Sequence, residues 1–261
     1  MMRNHFTKSG PAILLLAMLF PAIEITSGPA SRTICKKSKL FTAQKIVAWS
    51  APTVAVGFFY KSGLAIDADG AARAYHPSDR LGLDSLTHAG HRGNWWALVT
   101  DNEKTSGAPV VQGTADPAPG FYVSTTALYD RANTNPRDPH RYVDAVNIPY
   151  VVLHPKALRY AHLGDFATVV NVHNGRVSAA IVADESAPNL PVGEGSIALA
   201  EALGIDSSPR HGGQDGNVVY VIYPGSGNGR PRKLEEILAN SNQLFEAWGG
   251  PGGLEACLAS D

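Results

Sequence analysis

Short runs of β-branched and aromatic residues, broken at close intervals by turn residues, dominate the apolar pattern of this chain, and helical periodicity appears only locally. Phe166 to Val172 is such a run. Asn174-Gly175 then supplies the positive-φ pair of a two-residue hairpin turn, and Val177 to Val182 returns, so a β-hairpin is predicted. Further strands are expected over Thr53 to Phe59, Phe121 to Ser124, Tyr142 to Leu153 with a break at Pro149, and Val218 to Tyr223. A helix is expected over Ser196 to Leu203. In a second, Leu234, Ile237, Leu238, Ser241, Phe245 and Trp248 recur at helical spacing until Gly249-Gly250-Pro251 stops them. That stripe reads as a packing face, with Trp248 in the core. The fold class is mainly β with a few helices (α+β).

Composition agrees: 26 Gly, 18 Pro and 17% charged residues suit a turn-rich β structure. Residues 1–30 read as an export signal, with Arg3 and Lys8 ahead of an apolar stretch from Pro11 to Ile23 and cleavage expected after Ala30. That stretch is about 13 residues, short of the roughly 20 a membrane-spanning helix needs. Residues 31–261 then form a single catalytic domain, and a secreted monomer is expected. Losing Arg3, Lys8 and Glu24 takes the net charge from -1 to about -2, which argues against nucleic acid or an anionic membrane as partner. The two cysteines, Cys35 and Cys257, stand near the ends of the exported chain and can pair or stay apart.

Candidate chemistry gathers behind the hairpin. Asp184 stands at the exit of its second strand, and Glu194 lies between Gly193 and Gly195 just before the helix, so two acids bracket one loop, with glycines leaving room for a ligand. The bland alternative is a strand-end Asp and a solvated Glu near a helix N-terminus. Asp67-Ala68-Asp69-Gly70 resembles the start of a calcium loop, but the twelfth position is Ser78 and not Glu, so a turn or a cleft wall is expected instead. Adjacent aromatics on a strand face opposite ways, so one of Trp95 and Trp96 belongs to the core and the other can stack on a sugar; alternation leaves open which, and Trp96 is the candidate. The histidines, His88 and His91 among them, lack ligand company, and no serine elbow or phosphate-binding glycine loop occurs. No metal or cofactor is expected.

The segments IDADGAARAYHP, GNWWALVTD, DPAPGFYVS, YVDAVNIPYVVL, GEGSIALAEALGI, YVIYPGSG and FEAWGG, spread from Ile66 to Gly250, resemble the glycoside hydrolase family 75 chitosanases. The resemblance implies Asp184 and Glu194 as the catalytic pair, although family members tend to read Asp-x-Gly-Pro where this chain has Asp184-Glu185-Ser186-Ala187-Pro188. It implies a secreted endo-chitosanase hydrolysing β-1,4 links between glucosamine units with inversion, and chitosan as partner. Asp67, Asp69, Tyr75, Trp96 and Asp165 are the candidate substrate-binding residues, Asp165 weighed equally with a local backbone role. Glu194 is expected to be the base, kept ionised by the helix N-terminus, and Asp184 the acid. The order of strand, Asn-Gly turn, strand, acid and Ala-rich helix is also similar to the double-psi β-barrel of expansin-like and peptidoglycan-cleaving proteins, which implies a β-barrel core with the C-terminal helix packed on it. A peptidoglycan-active glycosidase and a non-catalytic polysaccharide-binding protein are the competing functions.

Overall fold

The computed structural model describes residues 35–51 and 56–259. Its contacts divide the chain into Met1–Arg32 and Thr33–Asp261, and everything below concerns the second unit. The expected export signal, residues 1–30, lies outside the described residues. Among those described, no helix is long and apolar enough to cross a membrane.

In chain order the strands are β1 (Ser38–Ala43), β2 (Ile46–Ser50), β3 (Phe58–Asp67), β4 (Gly90–His91), β5 (Asn94–Trp95), β6 (Tyr150–Leu153), β7 (Phe166–Asn171), β8 (Arg176–Glu185), β9 (Glu194–Ser196) and β10 (Gln214–Tyr223). The helices are α1 (Ile197–Leu203), α2 (Leu234–Trp248) and α3 (Gly250–Leu258). Six strands close a ring in the order β3, β10, β7, β8, β6, β9 and back to β3. The pairings β6 with β8 and β3 with β9 are parallel, and the other four are antiparallel. Closure gives each of the six ring strands a partner on both sides, while β2 and then β1 extend the sheet outward from β3. The expected β-barrel is therefore present. The edge of β3 facing away from β10 is divided: β2 pairs with Phe58–Tyr60 and β9 with Ala65–Asp67.

Period-2 alternation fails along β7, where all six residues are buried. One side of β7 fills the barrel, and helix α2 packs against β7 and β8 from the other. Ile237, Ser241, Phe245 and Trp248 form the buried stripe of α2, while Leu234 is only half-buried and Leu238, also at helical spacing, is exposed. The Ser241 hydroxyl donates to the Ala180 carbonyl (3.3 Å). Trp248 is fully buried and meets Phe59 edge-on, with ring centres 5.8 Å apart. Truncating such a residue costs about 3 to 5 kcal/mol.

Local differences from the sequence reading have local causes. The β7–β8 hairpin forms, but Asn171 pairs with Arg176, so its loop is the four residues 172–175 and Gly175 alone takes positive φ (74°). Pro149 sits just ahead of β6 and does not break it. Phe121 to Ser124 contributes only isolated bridges, Val111 to Tyr122 and Leu98 to Ser124. The strand expected from Thr53 begins at Phe58, with residues 53–55 outside the description. After Gly249 the chain does not end its helical part: α3 follows, and Cys257 on it is bonded to Cys35, Cα atoms 4.8 Å apart. That separation falls within the ordinary disulfide range.

Candidate active site

At one mouth of the barrel lies a cleft of about 670 Å³, lined among others by Asp67, Asp69, Tyr75, Trp96, Asp184 and Glu194. Those are six of the seven residues singled out from the sequence. The seventh, Asp165, does not line it: at 2% exposed, its carboxylate accepts the backbone N–H groups of His162 (2.8 Å), Gly225 (3.1 Å) and Gly227 (2.9 Å). It joins the β7 entry to the loop after β10, so the local backbone role describes it. A second hollow of about 400 Å³, lined by Arg131, Asn228 and Arg230, has no acid in it.

Register places the two bracketing acids. Val152 of β6 pairs with Asp184 on one side and with Glu194 on the other. Residues laterally in register point to the same face of a sheet, so all three side chains turn into the cleft. A one-residue shift makes this work: Val151 pairs with Val182 but Val152 pairs with Asp184, a β-bulge that skips Ala183. Without the bulge Ala183 would stand opposite Val152 and Asp184 would face the other way.

Glu194 owes its place to its glycine neighbours, though not because they leave room for a ligand. A Cβ on Gly195 would lie 2.7 Å from the Tyr150 carbonyl and 2.6 Å from Leu199, and Gly193 has φ 104° with the Gly63 carbonyl close by. Both let the β9 backbone enter between β3 and β6. Ser196 fixes the exit: its hydroxyl accepts the Leu199 N–H (3.1 Å) as helix cap and donates to the Ile148 carbonyl (2.8 Å).

On the floor, carboxylate oxygens of Asp67, Asp69 and Asp184 all lie within 4.8 Å of one another. They are the described residues that could surround a cation. Asp67 Oδ1 accepts the Asp69 N–H (2.8 Å), the turn bond expected of Asp-x-Asp. Tyr75, 1% exposed, donates its hydroxyl proton to Asp69 Oδ1 (2.7 Å) and so holds an acid of the cleft. Tyr150, which sequence reading did not single out, donates to the Asp69 carbonyl (3.0 Å) from the opposite strand. The tryptophan pair is settled too: Trp95 packs against the core while Trp96 is 55% exposed in the cleft wall.

Crowding and burial act together on these acids. Burial, then the charges of Asp67, Asp184 and Asp84, push Glu194 up to about 8. Burial raises Asp67 to about 6 against the Asp69 amide. Asp69 is held well above the usual range by burial, Asp67 and Asp184. Asp184 is pushed up by burial and Asp67, but backbone N–H groups of Glu185 (2.8 Å) and Ala127 (3.2 Å) donate to its Oδ1 and favour the charged form. The expectation that a helix end keeps Glu194 ionised is thereby overturned: the cap position is filled by Ser196, and desolvation dominates.

Two acids that share a cleft, both raised by burial and one of them accepting two backbone amides, can between them protonate a leaving group and activate a water. A family model described as fungal chitosanase of glycosyl hydrolase group 75 matches residues 64–248, which include every acid of the cleft from Asp67 to Glu194. Comparison with curated proteins finds no match.

Proposed function

The chain belongs to glycosyl hydrolase group 75, and from that premise we propose that it is a secreted endo-chitosanase cutting β-1,4 links between glucosamine units with inversion of configuration. It is a glycoside hydrolase of the chitosanase type; linkage, stereochemistry and export are the further reading. The observation that carries the mechanism is the pairing of Asp184 and Glu194 with Val152 from opposite sides. Two strand spacings separate their backbones by about 9 to 10 Å. Inverting hydrolases keep their carboxyls about 6.5 to 9.5 Å apart to admit a water, whereas retaining ones need about 5 to 5.5 Å. The register supports the wider gap.

Glu194 is then the acid and Asp184 the base, the reverse of the assignment drawn from the helix end. Glu194 gives its proton to the glycosidic oxygen as the bond to C1 breaks. Asp184 takes a proton from water, whose oxygen attacks C1 from the opposite face. The next turnover begins once the two carboxyls have exchanged that proton with solvent. Asp67, charged above about pH 6, suits a sugar carrying an ammonium group, and Asp69 adds a neighbouring acceptor oxygen. The residue 1–30 pattern supports export.

One experiment tests the reading. The protein is given well-deacetylated chitosan, and the anomeric configuration of the first products is followed by NMR. α-Products from chitosan are expected. β-Products exclude inversion, and absence of any cleavage removes chitosan as the substrate.

A further inference from the structure

His88 and Asp84 line the same cleft and have no part in the mechanism above. His88 ends a single 3-10 turn, Leu86–His88, and its Nδ1 lies 2.9 and 3.0 Å from the two carboxylate oxygens of Asp84. The side chain of Asp84 is 4% exposed and that of His88 58%. Asp84 Oδ1 also accepts the Ser85 N–H (2.6 Å), so the carboxylate is fixed before the ring arrives. With Nδ1 turned to a carboxylate the ring keeps a proton on that nitrogen, and Nε2, which has no partner among the described residues, presents a lone pair when the ring is neutral.

Further contacts hold the backbone that carries this pair. The Trp96 indole N–H donates to the His88 carbonyl (2.8 Å), which ties the exposed indole to the same backbone. From the facing loop, Arg210 Nη2 donates to the carbonyls of Asp79 (2.5 Å) and Asp84 (2.6 Å), with Gly82 at 3.3 Å, and Nη1 reaches Asp79 Oδ2 (3.2 Å). A guanidinium directed at three carbonyls of one turn fixes the wall that carries Asp84. The imidazole and its carboxylate stand together beside an exposed aromatic face. That combination complements a sugar whose ring stacks and whose amine donates.

We infer that His88, oriented by Asp84, is a substrate-contact residue that accepts a hydrogen bond at Nε2 from the amine of a glucosamine unit stacked on Trp96. The ligand in this inference rests on the chitosanase reading, but the contact can be tested without turnover. Glucosamine oligomers are titrated calorimetrically into Glu194→Gln and into Glu194→Gln/His88→Ala at neutral pH, with N-acetylglucosamine oligomers as comparison. Loss of His88 should weaken glucosamine binding roughly tenfold, the size of one hydrogen bond to a charged group, and N-acetylated binding by less than about twofold.

In the active enzyme, His88→Ala should raise KM by a similar factor with kcat little changed, and the ¹⁵N signal of His88 Nε2 should move when glucosamine oligomers bind. His88→Gln, which keeps a polar atom near the Nε2 position, should recover part of the affinity. Equal losses for both oligomers, no loss for either, or an unmoved Nε2 signal overturn the inference. If the wild-type protein leaves chitosan uncut yet the oligomer titrations behave as expected, it is the catalytic reading that fails and the His88 contact stands.

Discussion

Asp184 and Glu194, ten positions apart in the chain, stand in register with the same residue, Val152, one on each side of β6. The intervening loop plays no part in setting their separation: two strand spacings do. A barrel wall is stiff, so a pair mounted on it keeps its gap better than a pair on loops.

The first prediction concerns that pair. Asp184→Asn and Glu194→Gln keep shape and remove the proton chemistry, so each should lower kcat by at least about 10² to 10⁴-fold. Binding of glucosamine oligomers should persist. Near-normal turnover in either variant would remove it from the mechanism.

Glu194 also links activity and stability to pH. Its folded pKa, raised from a usual 4.5 to about 8, means that folding favours its protonated form. The stabilisation is complete below about pH 4.5 and is lost as pH rises through 8; Asp67, at about 6, acts likewise over a lower window. The thermal midpoint should therefore fall between pH 5 and pH 9, and Glu194→Gln should flatten part of that fall and be the more stable form at pH 9. Because Glu194 must be protonated to act as acid, the alkaline limb of kcat should lie near the same pH. A midpoint in wild type that rises toward pH 9 contradicts this account.

Asp165 should behave as a structural acid. It accepts three backbone N–H groups while buried, and a charged acceptor typically contributes about 1.5 to 3 kcal/mol. Asp165→Ala should lower the thermal midpoint by roughly 3 to 12 °C, on a scale of about 2 to 4 °C per kcal/mol for a domain of this size. Turnover per folded molecule should stay close to wild type.

The Cys35–Cys257 bridge closes a loop spanning 222 residues. Chain-entropy arguments assign such a closure about 5 kcal/mol. Cys35→Ser/Cys257→Ser should lower the unfolding midpoint in urea without altering the initial rate at low temperature, because neither cysteine lines the cleft. An unchanged midpoint would show that α3 stays docked without the bond.

Among the cleft acids Asp67 gains its charge as pH passes about 6, which should attract a polycation, and mobile ions screen that attraction over about 10 Å at 0.1 M. KM for chitosan should rise with added salt, and chitin, whose nitrogens are acetylated and uncharged, should be cut far more slowly. Equal rates on the two polymers would refute the electrostatic account.

Much of this was legible in the sequence because it was local. Alternating and β-branched runs marked β7, β8 and β10, the helical stripe marked α2, and Asp184 and Glu194 stood out beside turn and helix signals that depend on a few neighbours. Pairing across the chain was not legible. Asp84 and His88 form a dyad that sequence reading passed over, because His88 showed no company until a 3-10 turn folded it back on an acid four residues earlier. Asp165 stood equally as a cleft acid or a local backbone acceptor until the loop after β10 brought two amides to it. Most consequentially, the proposed proton donor changes from Asp184 to Glu194. Proximity to a helix start is visible in the chain and argues for a charged Glu194, whereas burial between β3 and β6 and three neighbouring carboxylates exist only after closure of the barrel. Desolvation and charge crowding act through space, so the sequence determined which groups are present, and the tertiary structure decided how strongly burial and neighbouring charge act on each.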